Sequence, residues 1–219
     1  MKRYMKWGLI ILSLILLSIS FYLLFYFNLI PMKSYSADDF GIETIYSTID
    51  YNNNGADDFT DILAGAREYV AYQPVYKSGY YSGGYPPLEE GVCTDVIWYA
   101  FQYAGYDLKE MVDLDISLFP ERYTSITIVD PNIDFRRVRN LEVFFEYNAT
   151  SLTTDISKIE EWQPGDIVVF DGHIAIISDI RNSVGVPYII HQSTRPVKEE
   201  DALQLYGEIL GHYRWEVAD

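Results

Sequence analysis

Apolar and polar positions alternate along this chain in three different ways. The first is no alternation at all: the run WGLIILSLILLSISFYLLFYFNLIPM, residues 7–32, holds no charged side chain. At 1.5 Å rise per residue it exceeds the roughly 20 residues needed to cross a bilayer, which predicts a membrane span or an export signal. The second pattern is helical. Thr60 to Ala71 reads as one helix, and Val96, Ile97, Ala100, Phe101 and Ala104 fall at i, i+1, i+4, i+5 and i+8, a single apolar stripe that Gly105 is placed to end. The third has the period of strands. After the turn EWQPGD, residues 161–166, Ile167 to Phe170 reads as a strand, Asp171-Gly172 as a hairpin turn, His173 to Ser178 as the return strand, and Tyr188 to His191 as a third.

Charge gives these patterns a direction. The chain has 219 residues and a formal net charge of −16. Lys2, Arg3, Lys6 and Lys33 are its only charged side chains before Asp38, so the remainder carries 12 basic against 32 acidic groups, a net of −20. Three basic residues precede the apolar run and one follows it. The positive-inside bias therefore puts the amino terminus in the cytoplasm and the acidic body outside, held by an uncleaved signal anchor. Cleavage at the weak site Ser36-Ala37 is the alternative. An acidic body argues against nucleic acid as the partner, since backbone binding needs clustered Lys and Arg. The single cysteine excludes an internal disulfide and a multi-cysteine zinc site.

Asp50 to Asp61, DYNNNGADDFTD, carries a ligand-like spacing. Asp50, Asn52, Asn54, Asp58 and Asp61 offer side-chain oxygens at positions 1, 3, 5, 9 and 12, Gly55 stands at the sharp turn and Ala56 offers its carbonyl at 7. That is the schedule of an EF-hand loop and predicts a structural Ca2+ ion. Its Asp at position 12, its charged Asp57 at position 8 and the lack of a preceding helix resemble dockerin loops. The competing expectation is an Asn/Gly turn with Asp57 or Asp58 capping the helix.

Cys93 opens the striped helix, where the macrodipole and unpaired N–H groups favour a nucleophilic thiolate; the competing expectation is a buried cysteine used as a small apolar side chain. The three histidines, His173, His191 and His212, all follow it. Strand alternation puts His173 and His191 on neighbouring strands. A Cys at a helix start, a His opening a strand and a second polar residue on the next strand form the relay that a thiol nucleophile needs, without a cofactor.

The order Cys…His…His, the segment GVCTDVIWYAF and the hairpin WQPGDIVVFDGHIAIISD together resemble the papain-like cell-wall cysteine peptidases and amidases of the NlpC type. The sequence is most similar to a bacterial family of uncharacterised domains that shares GVCTDVI, DPNIDFRRVRNL, the PGDIV…GHIAIISD hairpin and GHYR, over roughly residues 60–216. The resemblance implies an α+β, papain-like fold with the Cys-bearing helix packed on a small antiparallel sheet. It implies Cys93 as nucleophile, His173 as base and His191 as the orienting residue, with His212 as an alternative third member or substrate ligand. It also implies the peptide stem of peptidoglycan as substrate.

Two further stretches bear on substrate. Arg136, Arg137 and Arg139 are the best carboxylate site in an acidic domain, unless Asp130 and Asp134 pair with them to hold a loop. The Tyr/Gly/Pro-rich segment before Cys93, with Tyr81 in it, is a candidate groove wall. The expected organisation is a span over 1–33, a linker over 34–49, a calcium loop and helix over 50–72, and a hydrolase domain over 73–219, acting as a monomer. The expected activity is extracytoplasmic amide hydrolysis. The alternatives are a deamidase, transglutaminase or acyltransferase with the same triad, and a calcium-stabilised wall-binding module without catalysis.

Overall fold

The computed structural model describes residues 2–26, 33–194 and 196–216. It divides into an N-terminal unit up to Lys33 and a second unit from Ser34 onward. The first unit is helix α1, Lys2–Tyr26, in which Lys6–Leu24 is long and apolar enough to cross a membrane. Residues 27–32 of the apolar run lie outside the described residues.

In chain order the second unit contains α2 (Asp58–Tyr72), β1 (Val75–Tyr76), β2 (Glu90–Gly91), α3 (Cys93–Tyr103), α4 (Leu108–Leu118), α5 (Val138–Asn148), β3 (Thr150–Ser151), β4 (Ile167–Phe170), β5 (His173–Arg181), β6 (Pro187–His191), β7 (Lys198–Glu200) and β8 (Ile209–Arg214). It is an α+β unit. Strands β3 to β8 form one antiparallel sheet in the order β3-β8-β4-β5-β6-β7, and β1 pairs in parallel with β2.

Strand alternation sorts the sheet's side chains between two cores. Ile167, Val169, Ile174, Ile176 and Ile190 face the helices, packing with Ile62 and Ala66 of α2, Val96, Ile97, Ala100 and Phe101 of α3, and Phe144 and Phe145 of α5. Val168, Phe170, Ala175, Ile177 and Ile189 face the other way, where Trp162, Ala202 and Leu203 cover them. The α3 stripe is fully buried, and each side chain of Val or Ile size contributes about 1.5–3 kcal/mol by leaving water. Gly105 ends α3 in the left-handed region, at φ +92°.

The segment expected to be a linker, 34–49, is part of the folded unit. Tyr35 and Arg181 exchange backbone hydrogen bonds of 3.0 and 2.8 Å, Ala37 and Ile42 are buried, and the Gln163 side chain accepts from Ile45 N–H and donates to the Glu43 carbonyl. Residues 50–72 likewise form no separate module, because α2 supplies Ile62, Leu63, Ala66 and Tyr69 to the main core.

Candidate functional site

The hairpin that the sequence pattern predicts places His173 as the first residue of β5, opposite Phe170 of β4. The PGD turn that leads into β4 holds Gly165 at φ +86°, where a Cβ would stand 2.7 Å from the Phe59 carbonyl oxygen at the start of α2. His191 ends β6. The two imidazoles meet edge to face, with His173 Nε2 and His191 Nδ1 3.0 Å apart, and both residues are buried. His191 Nε2 in turn lies 3.2 Å from Oε1 of Glu200 on β7, whose Oε2 is 3.5 Å from the Lys198 ammonium. The Tyr206 ring stacks on His173 at 4.2 Å and stands edge-on to His191. Among the described residues, Nδ1 of His173 makes no hydrogen bond.

Cys93 reaches this point from the helical layer. Its sulfur is faced by the backbone N–H of Ile174, the residue after His173, and by the N–H groups of Thr94 and Cys93 itself. No hydrogen bond joins Cys93 to His173 among the described residues. The expected resting thiolate is not what this environment favours. Burial pushes the thiol up to about 11, the Asp95 charge adds to that, and the three N–H groups offset only part of it. Burial and the neighbouring His191 push His173 down to about 3. The resting couple is therefore a thiol and a neutral imidazole.

The loop before Cys93 is held by an ion pair that is buried on both sides. Asp95 Oδ1 accepts from Arg136 Nε at 2.7 Å, and its Oδ2 accepts from the other guanidinium nitrogen at 2.8 Å and from Val92 N–H at 2.7 Å. Arg136 also donates to the Gly79 carbonyl at 3.0 Å, which ties down the tyrosine-rich segment. Arg136 is consequently no free carboxylate site: its guanidinium is spent on Asp95 and Gly79. Arg137 is exposed 3.9 Å from Asp134, on a surface cavity of about 580 Å³ whose lining includes none of Cys93, His173 and His191. Tyr81 is half-buried, its hydroxyl donating to Glu90 at 2.8 Å and its ring beneath the Arg136 guanidinium.

His212 is not brought to the pair. It lies opposite Val168 on β8, stacked on Trp162 at 3.8 Å, with Nδ1 2.8 Å from the Thr153 carbonyl and Nε2 2.9 Å from Asp166. Arg214 donates to the same carboxylate at 2.8 Å, so His212 belongs to a buried brace around the PGD turn.

In the Asp50–Asp61 loop the carboxylates are occupied by donors. Asp50 accepts from Asn54 and Gly55 N–H, and Asp61 accepts from the side-chain amides of Asn52 and Asn54 at 2.8–3.1 Å. Asp57 caps α2, while Asp58 accepts from Tyr51 N–H and from the Tyr106 hydroxyl. Ala56 gives its N–H to the Asn54 side chain. Among the described residues no group of three or more His, Cys, Asp or Glu side chains is arranged to hold a metal.

Glu200, Gln192 and Tyr69 were not singled out by the sequence pattern. Gln192, next to His191, accepts from the Tyr69 hydroxyl at 3.0 Å and donates to the Pro74 carbonyl at 2.8 Å. Gly91 leaves room for that hydroxyl, which a Cβ would meet at 1.9 Å. These contacts join residues 123 and 118 positions apart, beyond any local signal. Glu200 had the alternation of a strand after Val197 as its only marker.

Residues 63–215, which span the cysteine, both histidines of the pair and the Asp166 brace, match a family described as a domain of unknown function, DUF1287. The chain belongs to that family. It is also 34% identical to the uncharacterized protein YijF of Escherichia coli strain K12 over 169 residues, 71% of this chain and 81% of the relative. No solved structure matches. The family match starts inside α2, so α1 and the Asp50–Asp61 loop lie outside it.

Proposed function

We propose that this DUF1287 protein is a membrane-tethered cysteine hydrolase that cleaves an amide bond in an extracytoplasmic peptide, with the stem peptide of peptidoglycan as the substrate class. The observation that carries it is the 3.0 Å bond between His173 and His191 beside a thiol held by the Ile174 N–H. Cys93 attacks the carbonyl as His173 Nδ1 takes the thiol proton, so that the charged pair exists only during reaction. The N–H groups at the start of α3 offer oxyanion stabilisation, and His173 then protonates the leaving amine. Water hydrolyses the thioester. The resemblance to NlpC-type, papain-like enzymes supports the same order of residues. The pairing of Tyr35 with Arg181 supports an uncleaved anchor, since cleavage after Ala37 would remove it.

A non-catalytic module is favoured by one observation, the raised thiol of a cysteine that is only 8% exposed. One assay separates the two. The full chain in detergent is incubated with purified muropeptides and the product masses are read. Stem-peptide fragments are expected from the wild type, with turnover reduced by roughly three orders of magnitude or more in Cys93→Ala and His173→Ala. Equal product from wild type and Cys93→Ala would sink the hydrolase.

A further inference from the structure

Resting on the hydrolase reading, we propose that Glu200 is a positioning residue for that site: its carboxylate fixes the direction of the hydrogen bonds through His191 to His173 and thereby leaves the lone pair of His173 on Nδ1, the nitrogen free to meet Cys93. Hydrogen-bond polarity along the chain of groups carries this. An ionised carboxylate only accepts, so the 3.2 Å contact to His191 Nε2 requires the proton on that nitrogen. When His191 is neutral its Nδ1 is unprotonated and must accept across the 3.0 Å contact, so the donor is then Nε2–H of His173. A neutral His173 with its proton on Nε2 has its basic lone pair on Nδ1, the ring nitrogen without a hydrogen bond among the described residues. Had the end of the chain been a donor, every bond would reverse and His173 would offer the thiol an N–H in place of a base.

The surroundings keep Glu200 in its acceptor form. The His191 hydrogen bond and the Lys198 ammonium hold its carboxyl below the usual range against the cost of burial. Among the described residues, the charged and titratable groups around this relay include Lys198 on the same strand, His191 on β6, His173 on β5, Tyr206 from the segment between β7 and β8, and Cys93 on α3. The Tyr206 ring covers the imidazole face and keeps the His173 to His191 bond away from water, which strengthens it.

The chain has three histidines, so ¹⁵N-histidine NMR of the full protein in detergent resolves their tautomers directly. At pH 7.5 His191 and His173 are both expected with the proton on Nε2; a His173 protonated on Nδ1 would overturn the proposal. Glu200→Gln keeps the shape of the side chain but can donate as well as accept. It is expected to mix the His191 tautomers and to slow alkylation of Cys93 by iodoacetamide roughly ten-fold or more, whereas a merely packing role predicts no change in either. A folded Glu200→Gln protein with wild-type tautomers and rate would also overturn it. The predicted tautomers together with uncut muropeptides would leave the relay standing and remove the hydrolase.

Discussion

A single carboxylate, Asp95, decides whether the proposed nucleophile, Cys93, is held still. It stands two residues after Cys93, fully buried, and binds the Arg136 guanidinium through both oxygens while taking the Val92 N–H from the residue before the cysteine. Such a pair is costly to desolvate, so its net contribution to stability is small, but breaking one side strands the other charge in the core. Arg136→Met is therefore expected to destabilise the protein by about 3–5 kcal/mol. Asp95→Leu combined with Arg136→Met is expected to recover much of that loss in chemical denaturation, yet to leave Cys93 turnover low because Val92 and Gly79 lose their ties. Recovery of activity along with stability would show that the pair does not position the thiol. Two residues after the cysteine in sequence, Asp95 reads as a structural residue within reach of a loop, but its spacing names no partner. Its partner, 41 positions away, was read as a substrate ligand because three arginines in four residues look free until a buried acid claims one.

At the scale of elements, what was legible is what repeats locally. The α3 stripe, the PGD turn and the β4–β5 hairpin each follow from a period or a turn residue, and their bounds fall close to those expected. Helix α4, the extent of α5, and strands β7 and β8 were not legible: α4 exposes Leu114 and Leu118, which blurs its stripe, and β7 is three residues long and charged at every position. The Asp50–Asp61 loop carries a strong pattern that two different causes can produce. Loops of the EF-hand type and Asx-rich turns share Asp, Asn and Gly because both fold the backbone back on short polar side chains. Here both ends of the Asn52 and Asn54 amides find partners, and Asp61 already accepts from both. Calcium would have to displace those donors, so replacing excess EDTA by millimolar calcium is expected to leave the melting temperature of the full chain unchanged. A rise of several degrees would show that the ion wins.

The chain joins a basic, apolar N-terminal helix to a body of net charge −20; under the proposed function anionic wall polymers would repel that body, so a tether would be what keeps it near them. The buried couple also sets how the whole molecule responds to pH. Above pH 6.5 His173 is neutral whether folded or unfolded. Below it the unfolded chain takes up a proton that the folded one refuses until about pH 3, so stability falls as pH drops, by about 1.4 kcal/mol per unit. The Glu200 carboxyl, held low in the fold, acts in the same direction at lower pH. Cys93 works at the other end: the unfolded thiol ionises near its ordinary value while the folded one waits until about 11, so stability declines again as pH rises through that window. A plateau from about pH 6.5 to 8.5 is expected. Self-repulsion of the acidic body relaxes as acid neutralises carboxylates, an opposing trend that wild type and single variants share. Their difference isolates the buried groups: urea midpoints between pH 6.5 and 4.5 should fall less for His173→Gln than for wild type, and midpoints above pH 9 should fall less for Cys93→Ala. Parallel curves for His173→Gln and wild type on the acid side would mean that the His173 imidazole takes up its proton as readily in the folded protein as in water.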